Sequence, residues 1–63
     1  MTEDLNEWDA LIATARDGLS PRDSLDRLKR QLAAAIAIAD LNGEDISQLV
    51  ARQVRIDQLI AAL

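Results

Sequence analysis

Between Leu25 and Ala39 the chain reads LDRLKRQLAAAIAIA, and no other stretch constrains the fold as strongly. Its apolar residues Leu25, Leu28, Leu32, Ala35 and Ala39 recur at spacings of three and four, which puts them on one side of an α-helix. Beyond Leu32 the other faces turn apolar as well, with Ala34, Ile38 and Leu41 roughly opposite Leu25. A helix that is apolar all round has to be covered all round. This stretch therefore predicts an all-α protein with a central helix over about residues 21–40, part of whose cover comes from other copies of the chain.

Two flanking helices complete the prediction. Residues 2–17 read as the first, with Thr2 as cap, Glu3 and Asp4 at the positive end of its dipole, and Gly18 as a left-handed closing residue. Leu5, Trp8, Ile12 and Ala15 form its apolar stripe, Leu11 lies at the margin, and Trp8 is expected in the core. Ser20-Pro21-Arg22-Asp23 starts the second helix, with Ser20 as cap, Pro21 where no amide is needed, and Asp23 reaching back. Asn42 and Asp45 repeat that pattern and place the start of the third helix near Gly43, with Leu41 stapled onto Ile46. The third helix, about 43–63, carries Ile46, Leu49, Gln53, Ile56, Ile60 and Leu63 along one seam, widened by Val50, Val54 and Ala61. Such short connections fold each helix back on the last, so helices two and three are expected to form an antiparallel, coiled-coil-like hairpin within one domain.

Composition removes several classes of function. The 63 residues include no Cys and no His, which leaves no thiolate zinc site, no disulfide and no Ser-His or Cys-His nucleophile. There is no glycine-rich phosphate loop, and the carboxylates of residues 3–9 lie on a helical face that solubility explains. The chain is thus expected to be no enzyme, with no cofactor, no metal and no small-molecule substrate. The longest apolar run, Leu32–Ala39, is too short to span a bilayer, and no membrane partner is expected. A cytoplasmic location follows from the same reading. At this length a fold hides only about 60% of its unfolded surface, which favours self-association.

The net charge of −4 at pH 7 is unevenly spread. Glu3, Asp4, Glu7, Asp9 and Asp17 face Arg16 alone in the first 18 residues, whereas residues 19–41 hold Arg22, Arg27, Lys29 and Arg30 against three acids. Asp23 with Arg27 and Asp26 with Arg30 are spaced for ion pairs along the helix. Arg52 and Arg55 lack an acid four residues earlier. Together with Arg22, Lys29 and Gln48 they are the candidate contacts to nucleic acid. The candidate contacts between subunits are Leu32, Ala34, Ile38, Leu41, Val50, Gln53 and Val54. Gln53 interrupts an apolar seam, either to fix register and subunit number or because the seam splays there and lets it reach water.

From Ser20 onward, three features stand out: the Ser-Pro-Arg-Asp start, the run Leu32-Ala33-Ala34-Ala35-Ile36 after Arg27-Leu28, and the closing Leu49-Val50-Ala51-Arg52 with Ile56, Leu59 and Ile60. In these features residues 20–63 resemble the small terminase subunits of tailed phages and prophages of actinobacteria. The resemblance implies an oligomeric ring in a viral DNA-packaging motor, working in the bacterial host cell with double-stranded DNA and a large subunit that carries the ATPase and nuclease. A different reading of the same residues is a dimeric helical adaptor that regulates another protein, and a third is a DNA-binding regulator with the last helix as reader.

Overall fold

The computed structural model describes residues 5–63, which form three helices and no strand: α1 (Leu5–Arg16), α2 (Pro21–Leu41) and α3 (Ser47–Ala62). The expected roles of Thr2, Glu3 and Asp4 lie outside the described residues. All three helices pack on one another, and the interior is purely aliphatic. Leu25, Leu32 and Ile56 are fully enclosed, and Ile12, Leu28, Ala39 and Leu49 complete the buried set. Trp8 is half-buried against this core, as are Leu5, Ala15, Ile36, Ile46, Leu59 and Ile60. The threes and fours along α2 thus mark its inward face. Leu32 belongs to that face: assigned above to contacts between subunits, it is 0% exposed within one chain and is not available to a second.

Helix ends show where competing local signals were decided. Ser20 caps α2 with Pro21 at its first position, but the bond to Ser24 N–H comes from the Ser20 backbone carbonyl, at 3.0 Å, and the hydroxyl makes no capping bond. Asn42, expected to open α3, instead closes α2. Gly43 has φ 74°, its N–H donates to the Asp40 carbonyl at 3.1 Å, and the Glu44 N–H donates to the Ala39 carbonyl at 2.9 Å. These are the two bonds of a Schellman closure, and they move the start of α3 from 43 to 47. Leu41 is 87% exposed while Ile46 packs against the core, and the expected staple is not made.

Gly18 does not take the left-handed conformation expected of it, since Gly43 alone among the described residues has a positive φ. α1 ends instead with the Gly18 N–H on the Ala15 carbonyl at 3.3 Å, a tightened last turn. The two glycines should therefore respond oppositely to alanine. At Gly43 the left-handed backbone makes Ala cost about 1 kcal/mol. A methyl at Gly18 would meet the Ala15 carbonyl at 3.5 Å, an ordinary contact, and reduced freedom of the unfolded chain should leave Gly18→Ala neutral or slightly stabilising. Urea midpoints of the two variants check this.

Asp45 begins α3 in a way its spacing only half indicated. Its carboxylate accepts the Ser47 N–H at 2.9 Å and the Ser47 hydroxyl. Those two donors, the hydroxyl first, hold its pKa below the usual aspartate value against a small opposing effect of burial. A lowered folded pKa means that this interaction contributes fully above the unfolded value, near pH 4, and is lost as pH falls through the folded one. The stability gap between the native chain and Asp45→Ala should be widest at neutral pH and close in acid. A gap independent of pH in chemical denaturation would show that the carboxylate charge plays no part.

Candidate functional site

Two of the four cations proposed for nucleic acid, Lys29 and Arg52, are engaged inside the chain. Arg52, expected to stand free on α3, is 17% exposed at its side chain. Its Nη2 donates to Asp9 Oδ2 of α1 at 3.2 Å, and its buried Nε lies 3.1 Å from Oδ1 without hydrogen-bond alignment. Nη1 donates to the Gln48 carbonyl at 3.0 Å and to Gln48 Oε1 at 3.2 Å. The guanidinium thus bridges α1 and α3, and Gln48 completes its shell from one turn earlier. Within one chain Arg52 and Gln48 form a clasp between helices and do not stand free as expected. No acid precedes Arg52 at helical spacing because its acid lies 43 residues away, and only the tertiary fold brings it there.

Lys29 Nζ sits 2.5 Å from Asp57 Oδ1, joining α2 to α3 at a half-exposed site. Arg30 pairs with Asp26 at 2.9 Å as its spacing predicted, whereas the described residues include no ion pair for Arg27 with Asp23. Arg22 and Arg55 are exposed and have no acidic partner among the described residues. They are the two proposed phosphate contacts left open, one in the first turn of α2 and the other in the middle of α3. No group of metal-ligating side chains occurs among the described residues.

The apolar candidates divide into two exposed faces. On α2, Ala34 is exposed, Ile38 is 61% exposed and Leu41 87%. On α3, Val50 and Val54 are exposed and Gln53 is half-buried between them and the core. The second half of α2 is apolar all round, as read above, and its outer side is bare within one chain.

One feature escaped the linear reading. A groove of about 350 Å³ runs between α1 and α2, walled by Leu11, Ala15 and Leu28 and bordered by Arg27 and Gln31. Its one trace in the sequence is Leu11, at the edge of the α1 stripe and still partly exposed. No helix among the described residues is long and apolar enough to cross a membrane. Comparison with family models, with curated proteins and with solved structures finds no match to this chain.

Proposed function

We propose that this chain is a small, non-catalytic assembly subunit that forms a homo-oligomer, and that the assembly it serves is a viral DNA-packaging motor of the terminase type. One observation carries the self-association: two separate aliphatic faces, Ala34-Ile38-Leu41 on α2 and Val50-Val54 on α3, stay exposed although the core closes without them. Contiguous apolar surface of this kind marks interaction sites. Two distinct faces let each subunit join two neighbours, which a closed ring requires. Within each subunit α2 and α3 run as an antiparallel, coiled-coil-like hairpin, a reading supported by their short connection and by the Lys29–Asp57 pair across it.

The packaging role rests on the resemblance of residues 20–63 to small terminase subunits. With −4 per chain and, of the candidate phosphate contacts, Arg22 and Arg55 alone unpaired among the described residues, a single copy holds duplex DNA weakly at best. A ring repeats those two side chains once per subunit, and many weak phosphate contacts then act together. The large ATPase and nuclease subunit supplies the chemistry. The engagement of Lys29, Gln48 and Arg52 inside the fold favours a second reading, an adaptor dimer that binds protein and no DNA.

Light scattering across concentration and salt tests the proposal. A closed particle of many subunits, and stimulation of a large terminase subunit's ATPase, is the expected result. A dimer without that stimulation would shift the reading to the adaptor, and a monomer at all concentrations would overturn self-association.

A further inference from the structure

The outer side of α2 fits itself when turned end for end. Arg27, Gln31, Ala34, Ile38 and Leu41 follow at intervals of four, three, four and three, so they line one stripe of the helix. The C-terminal half of the stripe projects, with Ile38 61% and Leu41 87% exposed. The N-terminal half adjoins a recess: Arg27 and Gln31, both exposed, border the groove between α1 and α2. Charge follows the same polarity: Arg27, without an ion pair among the described residues, stands on the stripe at one end, where Arg22, Lys29 and Arg30 also outnumber Asp23 and Asp26, and Asp40 and Glu44 stand at the other.

We infer that α2 pairs with α2 of a second copy, antiparallel about a two-fold axis between residues 34 and 38. In that register Ala34 faces Ile38 of the second copy, Gln31 faces Leu41, and Arg27 faces the turn at Glu44. Each Leu41 enters the other chain's groove beside Leu11, and each basic end meets an acidic one. An isologous contact satisfies the projecting half and the recess at once, since every interaction occurs twice. A parallel pairing would set arginine against arginine and acid against acid, and leave both grooves empty. The inference rests on the self-association proposed above; since a two-fold contact closes on itself, a ring then needs a second two-fold contact, through the Val50-Val54 face, with alternate subunits inverted.

Sedimentation equilibrium on the full chain tests it, with circular dichroism to confirm that each variant is folded. Leu41→Ser should raise the dissociation constant about a hundredfold, because one substitution removes two buried leucines from the contact. Arg27→Glu and Glu44→Lys should each raise it about tenfold, and the two together should restore near-native affinity. Asp45 is left intact because its carboxylate holds the Ser47 N–H at the start of α3. Failure of the double reversal to restore affinity would overturn the register. Association unchanged in every variant would overturn the α2 interface while leaving self-association standing, with the Val50-Val54 face as its seat. A native chain that stays monomeric at millimolar concentration would overturn both.

Discussion

Replacing Leu32 with Ala should destabilise the monomer by about 3 kcal/mol, within the range for deleting an enclosed leucine side chain. Leu32 is 0% exposed, between Leu25 and Ala39 on the inward face of α2. The surrounding side chains are aliphatic and offer no polar group to fill the gap, so contacts are lost along with the transfer energy. A chain of 63 residues is stable by only about 3–9 kcal/mol at typical stability per residue. The loss is therefore a third of the total at least. Thermal melts should shift down by about 20 °C, and at the lower end of that stability the variant is about half unfolded at room temperature. Leu41→Ala, nine residues on along the same helix, should change the melt of the isolated monomer by no more than about 0.5 kcal/mol. The measurement belongs at low protein concentration, where association adds nothing to stability. Similar melts for Leu32→Ala and Leu41→Ala would mean that the inward face of α2 has been misassigned.

That contrast shows which parts of the fold a linear reading reaches. The three helices follow from spacing, because burial on one face of a 3.6-residue period leaves an unambiguous trace in Leu25-Leu28-Leu32 and in Leu49-Ile56. Depth of burial does not: Leu32 and Ile38 are both large aliphatic residues in an apolar run, and only the positions of α1 and α3 decide that one is enclosed and the other bare. The end of α2 illustrates a different limit. Asn42-Gly43-Glu44-Asp45 holds signals for closing one helix and for opening the next within four residues, and the Schellman bonds to Ala39 and Asp40 decide the first while Asp45 decides the second. Pairing of charges is legible only in part where it is local, since Asp26 meets Arg30 while Asp23 at the same spacing does not meet Arg27, and it is invisible where the partners meet only through packing, as for Lys29 with Asp57.

The clasp between Asp9 and Arg52 should prove to be a coupled structural unit, and a double-mutant cycle measures that directly. α1 has 12 residues, too few to hold a helix in water by itself, so it depends on its docking to α2 and α3. Ile12 and Trp8 supply the apolar part of that docking, and the Asp9 carboxylate in the fork of Arg52 supplies the polar part. Asp9→Ala should cost about 2 kcal/mol, because it leaves a mostly buried guanidinium with only the oxygens of Gln48. Arg52→Ala removes the charge with its partner contacts and should cost about 1 to 2 kcal/mol, partly through the lost packing of its stem. The double variant should be less destabilised than the sum of the two, with a coupling energy of about 1 kcal/mol. Lys29 and Asp57, more exposed at both ends, should couple by a few tenths of a kcal/mol and lose that in high salt. The same four proteins separate a clasp from a DNA contact. A clasp makes Asp9→Ala and Arg52→Ala alike in destabilising α1, and duplex binding then falls only as far as folding does. If Arg52→Ala instead weakens duplex binding with stability unchanged, and Asp9→Ala leaves or strengthens it, then Arg52 faces phosphate in the working assembly and its pairing with Asp9 is broken there.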